Sequence, residues 1–214
     1  SGFDVLIEGS AGTIREGYNY IWSTNSSGVI NAASGWLTDA HTESHANGYE
    51  NKFGKDFNND GLISGGSAYQ LLGSSDVYTL KNSEGGTYSD DTTSLWDITA
   101  AKETSSGFDV LLEGSDGTSK EGYNYIWSTN SSGVITSNSG WLTDSQAVTN
   151  GYENRFSKDF NNDGLISGGS FYQLFGSSGI VTLSSGGNTY SDDSSSLWDL
   201  TAAKETASGF DILL

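Results

Sequence analysis

The chain of 214 residues contains no cysteine, no proline and no methionine. Without cysteine no disulfide can cross-link the fold, and the redox compartment cannot be inferred from thiols. Without proline, the turns and strand edges depend on the 29 glycines together with serine and asparagine. Because methionine is missing even at position 1, we expect a mature or excised piece of a longer product.

Basic residues are scarce: 9 Lys and Arg stand against 27 Asp and Glu, which gives a net charge of -18. Phosphate groups are bound by clustered Lys and Arg, so this composition argues against nucleic acid as a partner. No apolar run approaches the roughly 18 residues that a membrane span needs, so we expect no membrane insertion. A strongly acidic surface instead suits cation binding and high ionic strength.

Aromatic residues are plentiful, with 6 Trp, 11 Tyr and 9 Phe in a chain that is only 34% hydrophobic. These side chains bury far more area than a disordered acidic chain possesses. We therefore expect the chain to fold around an aromatic core.

An internal repeat is the strongest pattern in the sequence. Residues 1–39 align with residues 106–144 and are identical at 32 of the 39 positions. The match resumes at "NGYEN" and continues through "DFNNDGLIS", "TYSDD", "SLWD" and "TAAKET". A period of 102 to 105 residues is long enough for a small domain with its own core.

The repeat predicts a domain organisation in tandem. We assign module 1 to residues 1–105, module 2 to residues 106–207, and the start of a third copy, "SGFDILL", to residues 208–214. Each end of the chain then holds half a module, so the structural units are alternatively divided near residues 66 and 169. We expect residues 1–7 and 208–214 to lie at a junction between neighbouring copies, because unfinished sheet edges expose unpaired backbone groups.

Local periodicity predicts a β-rich α+β fold, with tandem modules of antiparallel strands and two short helices in each. Aromatic and β-branched runs at 3–8 and 18–24 indicate strands, and residues 68–72 and 76–80 indicate a hairpin. In the second strand, Tyr18, Tyr20 and Trp22 alternate with Asn19, Ile21 and Ser23. The spacing of apolar residues predicts one helix over 43–53. The capping-box spacing of Ser94 and Asp97 predicts another over 94–103.

The segment "DFNNDGLIS", at residues 56–64 and again at 159–167, has the spacing of a calcium loop. Oxygen ligands on alternating residues converge on one ion, and the glycine at the sixth position permits the sharp turn between them. The metal ligands that this spacing predicts, with a backbone carbonyl from each Leu, are Asp56, Asn58, Asp60 and Leu62 in the first copy and Asp159, Asn161, Asp163 and Leu165 in the second. A turn rich in Asp and Asn without any metal is the alternative interpretation.

The twelfth position of the loop departs from the calcium pattern. It is Ser67 in the first copy and Ser170 in the second, where a bidentate Glu is usual. Other groups or water must complete the coordination, and the acids of "YSDD" (Asp90, Asp91, Asp192 and Asp193) are candidates by composition. We expect an affinity on the order of 0.1 to 1 mM, as in extracellular modules. Calcium would then be structural and not a cytosolic signal.

In the first module, a strand is followed by the aromatic strand "YIWSTNSSG", by "GW" and then by "GYENKFGKDFNNDG". This order resembles the tryptophan-rich domain family first described in Synechocystis. The resemblance covers essentially the whole chain, and it implies tandem copies in secreted bacterial proteins. The helix followed by "DFNNDG" also resembles a dockerin or EF-hand half-motif.

Catalytic patterns are absent from the sequence, and we predict that the protein is not an enzyme. There is no "GxSxG" and no cysteine nucleophile. Both histidines, His41 and His45, fall in a segment that differs between the copies, so an activity carried by the repeat cannot depend on them.

The tryptophans allow two interpretations. Trp22 and Trp96 lie in strand and helix patterns, so we expect them in the core. Trp36 and its counterpart Trp141, in "SGWLTD", are the aromatics most suited to face a ligand such as a sugar ring. We therefore predict a secreted, calcium-stabilised structural repeat protein of a bacterial surface fibre, filament or adhesin, with copies of itself as end-to-end partners. The alternative is an array of carbohydrate-binding modules that binds polysaccharide.

Overall fold

The computed structural model describes residues 2–39, 42, 47–177, 179–191, 193–195 and 197–214. The chain is β-rich, with several small antiparallel sheets and, among these described residues, three short helices. None of the described helices is long and apolar enough to cross a membrane. His41, His45, Asp192 and residues 43–46 of the helix predicted over 43–53 lie outside the described residues, while the last five residues of that prediction, Tyr49–Phe53, are helical.

The first copy begins with a three-stranded sheet in the order β1-β2-β3. These strands are β1 at Asp4–Glu8, β2 at Tyr18–Thr24 and β3 at Ile30–Thr38. A short helix, α1 at Tyr49–Phe53, ends at Gly54 and leads into the "DFNNDGLIS" segment. Next comes a second sheet in the order β4-β5-β6, with β4 at Leu62–Ile63, β5 at Gln70–Leu72 and β6 at Val77–Thr79. The hairpin predicted over 68–80 is confirmed by the antiparallel pairing of β5 with β6.

The second copy repeats this order. A four-stranded sheet has the order β10-β9-β8-β7, with β7 at Trp96–Thr104, β8 at Gly107–Gly114, β9 at Tyr123–Thr129 and β10 at Ile135–Thr143. Two helices follow, α2 at Asp144–Thr149 and α3 at Tyr152–Phe156. A sheet in the order β11-β12-β13 comes next, with β11 at Leu165–Ile166, β12 at Gln173–Gly176 and β13 at Gly179–Thr182.

The chain finishes with two small hairpins. β14 at Ser184–Ser185 pairs with β15 at Asn188–Thr189. β16 at Ala202–Thr206 pairs with β17 at Gly209–Leu213, so that Ala203 lies opposite Ile212. β17 carries the third copy of the motif that forms β1 and β8.

The chain divides into two compact units, one made of residues 1–110 and 127–137 and the other of residues 111–126 and 138–214. The core of the first unit includes Ile21, Leu62, Tyr69, Leu71, Leu80 and Phe108, each at most 2% exposed. In the second unit, Leu165, Tyr172, Leu174 and Leu200 form one cluster, against which Leu183, Tyr190, Ala203 and Phe210 pack. Tyrosine and phenylalanine thus contribute to both cores, as the composition predicts.

The helix predicted over 94–103 is wrong, because these residues form most of strand β7. The buried positions in this segment are Ile98 and Ala101, three residues apart, which is a spacing that a helix also produces. Tertiary contacts override the helix propensity of the local sequence: Ala101 N–H donates to the carbonyl of Asp60 at 2.8 Å. Asp97 does not cap a helix, since its carboxylate accepts the hydroxyl of Tyr69 at 2.6 Å.

The aromatic strand β2 alternates as predicted, but the aromatic side chains do not form its most buried face. Asn19 and Ile21 are 3% and 2% exposed, whereas Trp22 is 37% exposed. The expectation that Trp22 lies in the core is therefore wrong in this chain. Trp36, which we expected to be the more exposed of the two, is 36% exposed.

Candidate metal site

The segment 56–64 forms a tight loop in which side chains bond to the backbone of the same loop. Asn59 and Gly61 have positive φ angles of 59° and 88°, which turn the chain sharply. The N–H of Gly61 donates to Oδ2 of Asp56 at 2.9 Å. This contact holds the first predicted ligand over the turn.

The other two predicted side-chain ligands are held in the same manner. Oδ1 of Asp60 accepts the N–H of Leu62 at 2.7 Å, and Oδ2 accepts the amide of Asn58 at 2.7 Å. Oδ1 of Asn58 in turn accepts the N–H of Asp60 at 3.1 Å. Asn58 and Asp60 are therefore in contact with each other, while Asp56 bonds to Gly61 across the same turn.

The second loop, at residues 159–167, has nearly the same geometry. Asn162 and Gly164 have φ angles of 57° and 83°. Gly164 N–H donates to Oδ2 of Asp159 at 2.8 Å, and the amide of Asn161 donates to Asp163 at 2.7 Å. Leu165 N–H donates to Asp163 at 2.8 Å. Two identical sequences thus adopt one conformation in two units.

One oxygen in the first loop stands apart. Oδ1 of Asp56 is buried and has no hydrogen-bond partner among the described residues. A buried carboxylate oxygen without a donor is costly unless a cation binds it. The second loop differs slightly, because Oδ1 of Asp159 accepts the N–H of Asp163 at 3.2 Å.

The first loop also concentrates negative charge. Burial raises the pKa of Asp60 from 3.8 to about 7, and the charges of Asp56 and Glu50 act in the same direction. Carboxylates that disfavour one another's ionisation form a site where a divalent cation is stabilising.

Glu50 is a functional residue that sequence analysis missed. It is fully buried on helix α1, and its two oxygens accept hydrogen bonds from both ends of the loop. Oε1 accepts Phe57 N–H at 2.9 Å, and Oε2 accepts the N–H and hydroxyl of Ser64 at 3.0 and 2.9 Å. Burial raises the pKa of Glu50, although these hydrogen bonds act against the shift. Glu50 therefore links the two ends of the loop, at Phe57 and Ser64.

Glu153 performs the same task in the second copy. It is also fully buried, and it accepts Phe160 N–H at 3.1 Å and Ser167 N–H at 3.0 Å. Burial likewise raises its pKa. The signal that could have revealed both residues is "GYEN", which precedes each loop at the same distance and is unchanged between copies.

Each loop is also attached to a later strand. Ala101 of β7 donates to the carbonyl of Asp60, and Ala203 of β16 donates to the carbonyl of Asp163, both at 2.8 Å. Gly61 allows this approach, because a Cβ there would lie 2.1 Å from the carbonyl oxygen of Ala101. Glycine at the sixth position thus serves both the turn and this contact.

Asp90, one of the acids suggested to complete the coordination, contacts the segment just after the first loop. Its oxygens accept Gly65 N–H at 3.0 Å and the hydroxyl of Tyr69 at 2.8 Å. Burial and the neighbouring carboxylates of Asp97 and Asp90 raise the pKa of Tyr69, which is a hydrogen-bond donor here. In the second copy the equivalent Tyr172 donates to Asp199. These contacts assign Asp90 a role in positioning the chain after the loop.

The two aromatics suggested to face a ligand are parts of matching stacks. Trp36 packs edge-on against Tyr20 at 5.2 Å between centroids, and the Arg15 guanidinium lies 5.1 Å from the Trp36 centroid. Trp141 packs at 5.1 Å from Tyr125, with the ammonium of Lys120 4.9 Å from its centroid. A cation therefore covers one face of each indole ring.

Oxygen atoms dominate the loops, as hard cations such as calcium require. Among the described residues, no group of three or more His, Cys, Asp or Glu side chains is arranged to hold a metal ion. The ligand set predicted here differs from such a group, since it combines two carboxylates with an Asn amide oxygen and a backbone carbonyl. Comparison with protein-family models, with curated proteins and with solved structures found no match to this chain.

Proposed function

We propose that this protein is a secreted structural repeat protein whose modules are stabilised by calcium, and that copies assemble head to tail in a bacterial surface filament or adhesin. The observation that carries the calcium proposal is the first loop, in which the buried Oδ1 of Asp56 has no donor among the described residues. The identical second loop supports a role that is repeated in each module. Repetition of a site along a chain suits a scaffold better than a single catalytic centre.

The geometry of the loop fits calcium in several respects. Asp56, Asn58 and Asp60 present hard oxygens, and Leu62 offers its carbonyl at the seventh position. Glu50 lies outside the alternating ligand positions, and its oxygens accept hydrogen bonds from the backbone at both ends of the loop. It would set the shape of the loop in advance of binding. Burial, and to a smaller extent the charges of Asp56 and Glu50, raises the pKa of Asp60, and bound calcium would stabilise its ionised form.

The proposal predicts a measurable gain in stability. Binding to the folded state alone adds RT ln(1 + [L]/Kd), which is about 2.7 kcal/mol per site at calcium 100-fold above Kd. We expect the melting temperature of the full chain to rise with about 10 mM calcium and to fall again with excess EDTA. Magnesium at the same concentration should give a much smaller rise, because it demands a tighter octahedral site.

Single substitutions test whether the two loops cause the rise in melting temperature. Asp56→Ala and Asp159→Ala should each remove about half of the rise caused by calcium, and the double variant should remove it. The matched control is Asp116→Ala, which removes an exposed carboxylate outside both loops and should leave the rise intact. A melting temperature that does not respond to calcium in the unaltered chain would overturn the calcium proposal.

The alternative, polysaccharide binding through Trp36 and Trp141, has less support. Flat stacking of a sugar needs an open indole face, and Arg15 and Lys120 each lie over one face of these rings. A blue shift of tryptophan fluorescence on adding polysaccharide, lost in the Trp36→Ala and Trp141→Ala double variant, would support this alternative.

A further inference from the structure

The middle of the chain contains an aromatic packing arrangement around Trp127. Its ring lies 4.7 Å from the ring of Tyr88 and 5.5 Å from the ring of Trp96, measured between centroids. Trp127 belongs to β9, whose seven residues "YNYIWST" are identical to those of β2. The cluster thus consists of a tyrosine and a tryptophan from one copy and a tryptophan from the aromatic strand that follows.

The second copy repeats the first two members of this cluster and opens a groove beside them. Tyr190 and Trp198 are the counterparts of Tyr88 and Trp96, and their rings lie 6.1 Å apart. A cavity of about 390 Å³ adjoins them and is also lined by Leu183, Leu200 and Ile212. Its lining is mostly apolar, and Trp198 is 36% exposed. Because Trp127 packs against Tyr88 and Trp96, a tryptophan that packed in the same way against Tyr190 and Trp198 would lie at this groove.

The first copy contains a matching aromatic strand with an exposed tryptophan. Trp22 is the counterpart of Trp127 and is 37% exposed. Two apolar residues just after β2, Val29 in the turn and Ile30 at the start of β3, are 60% and 49% exposed. The first unit therefore contains an exposed counterpart of Trp127, and the second unit contains a groove beside the counterparts of Tyr88 and Trp96.

Backbone contacts in the middle of the chain define how such a strand is seated. The N–H of Lys81 donates to the carbonyl of Gly133 at 3.1 Å, and Ile135 N–H donates to the carbonyl of Lys81 at 2.9 Å. Val134 and Lys81 form an isolated parallel bridge. The counterparts of these residues elsewhere in the chain are Ser184 for Lys81, and Gly28, Val29 and Ile30 for Gly133, Val134 and Ile135.

We propose that the groove beside Tyr190 and Trp198 receives Trp22 of a second copy of this chain, and that the turn at residues 25–30 of that copy hydrogen-bonds to Ser184. This inference rests on the head-to-tail assembly in the proposed function and gives it a specific contact. The occupant is argued from the middle of the chain, where an identical strand fills the equivalent position. The contact joins two different surfaces, so it leaves a free groove and a free Trp22 at the ends of any chain of copies.

In the middle of the chain, one strand, β8, lies between β7 and β9. The equivalent position between β16 and the incoming β2 has room for one strand, and both β17 and the incoming β1 carry the β8 motif. β17 already occupies this position, since Phe210 packs against the core cluster of the second unit. The counterpart of Phe210 in the first copy, Phe3, directly precedes β1 and is 66% exposed. We therefore expect β17 to stay and β1 of the incoming copy to separate from β2. Asp211 then replaces Asp4 as the partner of Lys52, which lies 2.8 Å from Asp4 in the single chain.

The charge of the chain opposes association at low ionic strength. Each copy carries a net charge of -18, so two copies repel one another unless salt or calcium screens them. Association through an apolar groove should therefore strengthen as sodium chloride is raised. A contact made of ion pairs would weaken under the same change.

The test uses the absence of native cysteine. The full chain with Val29→Cys and Ser184→Cys should form an intermolecular disulfide ladder under mild oxidation, since these two positions would lie opposite one another. The matched control is Ile14→Cys with Ser184→Cys, because Ile14 is also exposed, at 90%, and lies in the same unit as Val29. It should give no ladder above the level expected from random collision.

Two further substitutions in the Val29→Cys and Ser184→Cys background probe the mechanism. Trp22→Ala should reduce ladder formation by more than about tenfold, as for a buried aromatic anchor. Ile7→Pro should increase ladder formation, because it removes an N–H that holds β1 against β2. Gly9 and Phe3 bond to β2, and the alternation along the strand places the Ile7 N–H on the same edge. A decrease with Ile7→Pro would overturn the exchange of β1. Circular dichroism of each variant establishes that it is folded.

The outcomes separate this inference from the proposed function. Sedimentation that shows end-to-end association without the specific ladder would overturn the groove contact and leave head-to-tail assembly standing. A chain that stays monomeric at high salt and high protein concentration would overturn both assembly and contact. The response of the melting temperature to calcium is measured separately and is unaffected by either result.

Discussion

Strand β8 and its two copies, β1 and β17, differ far more in burial than in sequence. Phe108 and Val110 of β8 are 2% and 0% exposed, whereas Val5 of β1 and Phe3, which directly precedes β1, are 41% and 66% exposed. In β17, Ile212 is 37% exposed. Among the described strands, β8 has a neighbour on each side, while β1 and β17 each have one. Neighbouring strands, and not the residues themselves, thus determine whether this motif is core or surface.

The largest expected effect is the loss of the buried phenylalanine in the middle copy. Phe108→Ala should cost about 3–5 kcal/mol of the free energy of unfolding, because it leaves a cavity beside Tyr78, whose ring lies 5.6 Å away. Phe3→Ala should cost less than about 1 kcal/mol. Urea unfolding of both variants, at a protein concentration where the chain is monomeric, measures the difference. Equal costs would contradict the role assigned to the neighbouring strands.

The buried glutamates provide a comparison in which the two copies should agree. Glu50→Gln and Glu153→Gln each place an NH₂ group against a backbone N–H that now donates to the carboxylate. Each should cost about 2–3 kcal/mol, since both oxygens of a fully buried charged acceptor are in use. Denaturant midpoints without calcium measure this cost. A cost in one copy alone would show that the loops are not equivalent.

The pH dependence of the calcium-free chain should sharpen the comparison of the loops. The pKa of Asp60 is raised from 3.8 to about 7, so the folded state takes up a proton at a higher pH than the unfolded state does. The destabilisation is therefore fully present above pH 7 and is relieved as the pH falls from about 7 towards 4, by an amount on the order of 4 kcal/mol. Burial of Glu50 acts in the same direction.

Unfolding in EDTA at pH 8 and at pH 5 tests this expectation. The unaltered chain should be more stable at pH 5, and Asp60→Asn should remove much of the gain, whereas Asp116→Asn should not. Excess calcium should abolish or reverse the gain, because protons and calcium compete for the same oxygens. Greater stability at pH 8 than at pH 5 in EDTA would contradict the raised pKa.

The smallest expected effect concerns the cations over the indole rings. Arg15→Ala and Lys120→Ala should each cost about 0.5–1 kcal/mol, as for exposed cation–π pairs. Both should also make tryptophan fluorescence more sensitive to iodide, because each removes the cover from one ring face. Unchanged quenching in either variant would show that its cation does not cover the ring in solution.

Much of the β structure could be predicted from residue patterns. The strand over 18–24 has the predicted bounds, and β1 starts one residue after its predicted start. The segment 94–103 could not be assigned, since Ala, Lys and Glu favour a helix and only the contact of Ala101 with Asp60 selects a strand. The exposure of Trp22 also lay beyond the pattern, because it depends on which strands are adjacent.

The loops were predictable because their chemistry is local. Asn58 and Asp60 are two residues apart and in contact, and Asp56 bonds to Gly61 across one tight turn, as both the calcium loop and the metal-free turn predict. Glu50 was not predictable in the same way, because it reaches the loop from helix α1 and bonds to backbone groups that no sequence pattern marks. Its role follows only from the distance between its oxygens and the N–H groups of Phe57 and Ser64.

The hydrogen bond from Ala101 to the carbonyl of Asp60 has a mechanical consequence. It ties the loop to a strand much later in the chain, and Ala203 ties the second loop to β16 in the same way. A pulling force along the chain must break this joint before the residues between the loop and the strand can extend. Calcium bound in the loop would stiffen the joint, so the tensile strength of the chain would depend on the ion concentration of the surrounding medium.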